Sequence, residues 1–264
     1  MSLSLPAGRI FYGICMAGLA IQQFIYSRFR PVFVPEWPHW LQASALWPWL
    51  FGTALLIAAI CIILNKRTRV ISTLLGSILL FLFLALQVIY ICFIGPNSAL
   101  HLGLWTDALK GLALSGGAFV MAGAAPGNRW PHPEKSLIAT LERLIPAGKY
   151  FFAIMLVAFG LDHFYYSSFV AGLVPSWIPA PGFWTYAAGI ALMGTGLSII
   201  LDLWVNKIAF LAAVMLFIWF IVLHIPRAVT DPVSGQGNEI SSVFEALGFS
   251  GILLVIAVHS KKYQ

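Results

Sequence analysis

Charge is what this sequence has least of: Asp, Glu, Lys and Arg make up 9% of its 264 residues, against about 25% in soluble domains. So little charge cannot cover a water-facing surface, and a soluble globular domain is excluded. Cysteine is nearly as scarce. Cys15, Cys61 and Cys92 stand in three separate apolar stretches with no Cys-x-x-Cys pair, so neither a disulfide framework nor a dithiol redox motif is written here. The H-E-x-x-H pattern of zinc hydrolases is missing, and the glycines at Ser234-Gly235-Gln236-Gly237 follow no strand, which removes a phosphate-loop reading. The apolar runs also lack the two-residue alternation of membrane barrel strands.

What the chain has in abundance is hydrocarbon: 60% hydrophobic residues and a mean hydropathy of +0.90. Eight apolar segments, at 8–27, 46–64, 70–94, 105–124, 147–169, 183–204, 207–225 and 241–259, reach the length that crosses a bilayer, about 20 residues at about 1.5 Å each. Lipid forces backbone groups to bond within each segment, so the expected fold class is all-α, a polytopic membrane protein of eight transmembrane helices. The first segment resembles a signal peptide because Arg9 precedes it, but the same pattern recurs in mid-chain and the segment is read as retained.

The net charge of +6 does not point to nucleic acid, because the basic residues sit in short runs beside apolar segments. Arg9, Lys66, Arg67, Arg69, Arg129, Lys135, Arg143, Lys149, Lys207, Lys261 and Lys262 fall on one face if the helices alternate. Arg28, Arg30, Lys110 and Arg227 fall on the other, with Glu36, Asp107, Asp162, Asp231, Glu239 and Glu245. The positive-inside rule then places both termini in the cytoplasm, and the expected location is a bacterial inner membrane.

The chain also reads as a duplication. GRIFYGICMAGLAIQQFIYSRF from Gly8 aligns with GKYFFAIMLVAFGLDHFYYSSF from Gly148, an offset of 140. A three-residue adjustment sets Gly52 opposite Gly189 and Gln87 opposite His224, and near the ends Ser115 meets Ser250, with Lys110 opposite Glu245. An even number of helices in each copy makes the repeats parallel. The expected organisation is one four-helix repeat at 1–125, a polar, proline-rich cytoplasmic linker at 126–146, and a second repeat at 147–264. Residues 134–144 of the linker read equally as a short surface helix or a loop.

An elbow reading Phe33-Val34-Pro35-Glu36-Trp37-Pro38 in one half and Leu173-Val174-Pro175-Ser176-Trp177-Ile178-Pro179 in the other, with a helix spelling DALKGLALSGGAF from Asp107, resembles the DoxX/DoxX-like membrane proteins. The second half departs from that helix pattern, with Glu245 at the basic position. The resemblance implies a four-helix bundle in tandem and quinone-linked redox function, with a redox partner subunit and a quinone or other small apolar ligand. It supplies no catalytic residues.

Site candidates come from the duplication instead. Where the second half has Asp162, His163, His224 and Glu245, the first has Gln22, Gln23, Gln87 and Lys110, so three ionisable groups stand where the other copy keeps amides of similar hydrogen-bonding reach. Ionisable groups inside membrane helices are costly and mark function, which makes these four the catalytic candidates in one outward-opening cavity. Tyr166, Arg227 and Trp177 are the ligand-binding candidates, against the plainer readings of interface aromatics and a snorkelling arginine. Two histidines and two carboxylates would suit a first-row metal, and histidine would suit haem, but no fixed motif supports either. An accessory subunit of redox chemistry, an oxidoreductase using His and Glu as acid and base, and a small-molecule carrier all remain open. The carrier reading is weakened because no pair of obviously broken helices is visible at matching mid-membrane positions.

Overall fold

The computed structural model describes residues 4–95, 101–125 and 136–259. Arg129, Lys135, Lys261 and Lys262, which carry part of the orientation argument, lie outside them. The described chain is helical throughout, without strands. The eight long helices are α1 (Ser4–Tyr26), α2 (Leu46–Ile63), α3 (Thr68–Leu82), α4 (Thr106–Ala124), α5 (Gly148–Tyr165), α6 (Pro181–Leu201), α7 (Val205–Trp219) and α8 (Ser234–His259).

Seven helical stretches are long and apolar enough to cross a membrane, not the eight expected. The exception is α4, which has spanning length at 19 residues but whose hydropathy is diluted by Asp107, Lys110 and four glycines. Protein covers it: Ala113, Leu114, Ser115, Ala118, Phe119 and Ala122 are fully buried. A helix wrapped by other helices does not need a lipid-facing surface, so hydropathy is a poor guide to it.

Each helix packs against its neighbours in a closed ring, α1 on α2, then α3, α4, α5, α6, α7, α8 and back to α1, with α4 and α8 also touching across the middle. The closest crossings use glycine. A Cβ on Gly8 would lie 2.6 Å from the Gly251 carbonyl oxygen, and one on Gly148 would lie 2.7 Å from that of Gly116. In lipid, where apolar burial does not drive helices together, such close backbone approach is a main source of association. Serines reinforce it: Ser115 Oγ donates to the Gly76 carbonyl at 2.7 Å and Ser250 Oγ to that of Ala213 at 2.9 Å.

Two helices are broken in a way the sequence does not announce. α3 continues as π-helical turns at Phe83–Val88 and Tyr90–Ile94, and α7 as a π turn at Phe220–His224 followed by a short helix, Ile225–Thr230. Pro226 can account for the second, since it lacks the N–H that an α turn needs, but no proline lies within 83–94. α5 stops at Tyr165, short of the expected 169, because Tyr166 leaves helical geometry before a short helix at Ser167–Leu173. Part of the linker is helical, at Leu137–Leu141, where the Ser136 hydroxyl accepts from the Ala139 N–H at 3.2 Å.

The crossings make a direct prediction. Gly116→Leu and Gly251→Leu should each cost at least about 1–3 kcal/mol through overpacking, read as a lowered unfolding midpoint in detergent. Gly194→Leu, where an added Cβ meets nothing within 4 Å, should leave the midpoint nearly unchanged.

Candidate functional site

The polar side chains collect at the end of the bundle that carries the two elbows. Along α8, glutamates at 239 and 245 and the serine at 241 interrupt an apolar helix, and three other segments bring partners to them. Glu245, 3% exposed, accepts from Lys110 Nζ of α4 at 3.0 Å, and the same ammonium lies 3.5 Å from Asp107. Burying either ion alone in hydrocarbon would be prohibitive, so the pair fixes how α4 meets α8.

On one side of this pair stands Arg30, from the first elbow. Its Nη1 donates to the Gln236 carbonyl at 2.8 Å and its Nη2 to Ser241 Oγ at 3.1 Å, while the guanidinium carbon sits 5.0 Å from the Tyr26 ring centroid. Ser241 Oγ in turn donates to Gln22 Oε1 at 2.8 Å, and Gln22 Nε2 donates to the Gly237 carbonyl at 3.1 Å. Burial pulls the Arg30 guanidinium below its ordinary value, against the nearby Tyr26 ring and the charges of Glu245 and Asp107. The acceptors exist because Gly235, Gln236 and Gly237 are all left-handed, with φ of 54°, 56° and 74°. Gln236 has a side chain and is strained there; the arginine on its carbonyl holds it.

On the other side, Arg227 grips Glu239 with both ends of its fork, Nε at 2.8 Å from Oε2 and Nη2 on Oε1, and Nη1 donates to the Leu173 carbonyl of the second elbow at 3.0 Å. Such bidentate pairing is geometrically specific. Between the two systems is His224, in the π turn of α7. The charges of Lys110, Arg227 and Glu239 bear on its ring. Its Nδ1 is buried with no hydrogen-bond partner among the described residues.

Of the residues singled out from sequence, the structure thus gathers Glu245, His224 and Arg227. It places the others elsewhere. Asp162 and Tyr166 face the segment at 101–105: the Tyr166 hydroxyl accepts from the Gly103 N–H at 3.4 Å, its ring lies 5.8 Å from that of His101, and His101 lies within electrostatic reach of Asp162. Asp162 Oδ1 is buried and has no partner among the described residues. His163 Nδ1 bonds the Phe159 carbonyl of its own helix at 2.7 Å. A carbonyl only accepts, so Nδ1 carries the proton and Nε2 is left as an acceptor. Trp177 is 62% exposed on the second elbow.

Arg30, Glu239, Gln236 and Asp107 were missed as site residues. The duplication did carry a signal for Lys110, which the alignment sets opposite Glu245. Nothing in the pattern around Arg30 distinguishes it from an interface arginine, yet it is 1% exposed. Among the described residues, no three His, Cys, Asp or Glu side chains gather as a metal-ligand set.

Removing one ion of the central pair should cost more than removing both. Lys110→Met leaves Glu245 buried and unpaired, an expected loss of about 3–5 kcal/mol, whereas the double change Lys110→Met with Glu245→Leu should recover most of it. Denaturation of the two variants in detergent measures the difference, and equal losses would contradict the pairing.

Residues 152–258, which run from α5 to the end of α8, match one family model, described as a domain of unknown function, DUF8561. No curated protein and no solved structure is significantly similar to the chain.

Proposed function

We propose that the protein is a tandem DoxX-like membrane protein that crosses a bacterial inner membrane eight times. In this reading α4 is the fourth crossing and both termini are cytoplasmic. It acts as an accessory subunit of quinone-linked redox chemistry, with an acid–base site at the outer end of the bundle formed by His224, Glu245 and Lys110. The observation that carries the site is the unpartnered Nδ1 of His224, on whose ring the charge of Lys110 bears. It is the group in the cluster free to take or give a proton. The quinone-linked part rests on the resemblance of the elbows and of α4 alone.

Recurring contacts support the duplication. Gly8 with Gly251 and Gly148 with Gly116 are the same crossing at aligned positions, as are the serine bonds Ser115 to Gly76 and Ser250 to Ala213. The family match, residues 152–258, lies within the second copy.

Two experiments bear on function. Mass spectrometry of the purified protein, with an absorption spectrum, should find a quinone or a partner subunit; purification with neither would overturn the accessory role. If the protein itself turns over a quinone analogue, His224→Ala and Glu245→Gln should lower the rate, and Asp162→Asn and His163→Ala test the remaining candidates in the same assay. Rates unchanged in all four would remove the oxidoreductase reading.

One observation favours a carrier as the second reading. The π turns of α3 and α7 begin at aligned positions, Phe83 and Phe220, and contain the aligned pair Gln87 and His224. Transporters built from repeats bind substrate where helices are interrupted at matching places near the bilayer midplane; these turns match in place but lie toward the outer end. Flux into proteoliposomes tests it.

A further inference from the structure

Between α6 and α7 runs a groove of about 500 Å³, within the range of about 300–1,000 Å³ usual for ligand pockets. Its wall is apolar and aromatic, with Trp177 and Ile178 from the elbow, Trp184 and Ala188 from α6, and Ile218 and Trp219 from α7. Trp184 and Trp219 stand edge to face at 5.8 Å, and the Trp184 indole N–H is already used on the Pro179 carbonyl at 3.1 Å. Apart from the indole N–H groups of Trp177 and Trp219, the lining side chains are apolar. The face is open, with Ile218 50% exposed.

The first half fills one aligned position with its own side chain: Phe51 stands where Ala188 stands. The Phe51 ring packs at 5.8 Å from that of Phe29 and 5.2 Å from that of Phe33, and with it the first elbow is drawn in: Phe29, Phe33 and Val34 are buried. In the second half, alanine leaves the space empty and the aligned Phe169 is 68% exposed. An unfilled apolar space forfeits dispersion contacts along its whole lining. At this depth the filler that the surroundings supply is hydrocarbon.

We infer that the groove is a lipid site, in which one acyl chain of a bilayer phospholipid takes the place that Phe51 fills in the other half. The headgroup stays at the elbow, where the exposed Trp177 indole sits at the interface. The comparison rests on the alignment of the two halves. The site is separate from the acid–base cluster, because the α7 residues that line the groove, Leu211, Val214, Met215, Ile218, Trp219 and Val222, form one stripe and His224 lies off it.

The full chain in phosphatidylcholine nanodiscs, with a photoactivatable diazirine in mid-acyl chain, tests the assignment. Peptide mapping after irradiation should find label concentrated around Ala188 and Ile218, above that at Ile57, an ordinary lipid-facing residue 55% exposed. Ala188→Phe should lose the groove label and keep the Ile57 label, and Phe51→Ala should gain label in the first half. Equal labelling of groove and Ile57 in the unaltered protein overturns the proposal whatever the variants do. So does undiminished groove label in a folded Ala188→Phe protein, or native mass spectrometry that finds a quinone retained there in place of phospholipid. Loss in Ala188→Phe without gain in Phe51→Ala supports the groove and counts against the alignment of the halves.

Discussion

A charge inside hydrocarbon must be paired or it expels the helix that carries it, and the architecture at the elbow end follows from how Lys110 and Glu245 meet that demand. Each sits on one of the two helices most enclosed by the rest of the protein, with 11% of the Lys110 and 4% of the Glu245 side chain exposed. The attraction at 3.0 Å has to repay the desolvation of both ions, and it does so with help from Asp107 beside the lysine and Arg30 near the glutamate. An apolar pair would hold α4 against α8 at lower risk. What the ions add is register, since an ammonium and a carboxylate this far from water accept only one arrangement.

The surrounding hydrogen bonds extend that constraint to the loops. Arg30 ties the first elbow to the left-handed turn that opens α8, and Arg227 ties the second elbow to the next turn of the same helix. Both elbows thus report to α8, and a shift of α8 would be felt at each. His224 lies where the two systems meet, in a stretch of α7 whose backbone is already out of α-helical register. Such π turns concentrate at functional sites because they turn side chains to directions an α-helix does not offer.

Much of the fold was legible because lipid makes hydropathy and helix length nearly equivalent statements. That equivalence fails for α4, whose surroundings are protein, and its small residues and two charges make sense only once α3, α5 and α8 are seen around it. The site was less legible. Aligning the halves put Lys110 opposite Glu245, but nothing in one dimension says whether aligned positions face each other or lie far apart. Asp162 and His163 adjoin in sequence, yet one looks toward 101–105 and the other toward α6. The π turns that follow α3 had no signal at all, since no proline lies within them.

The closed ring has a consequence for biosynthesis. Contacts that seal it join α1 to α8, the earliest made of these eight helices to the latest. Until α8 is inserted, the face of α1 that bears Gly8 and Gln22 has no permanent neighbour, and the Gln22 amide lacks the Gly237 carbonyl and Ser241 hydroxyl that later satisfy it. So long a separation between partners delays the final docking step relative to neighbouring helix pairs. The nascent chain must therefore hold an amide-bearing helix in the membrane through the synthesis of some two hundred residues, a span over which a membrane chaperone or a transient lipid contact would have the most to protect.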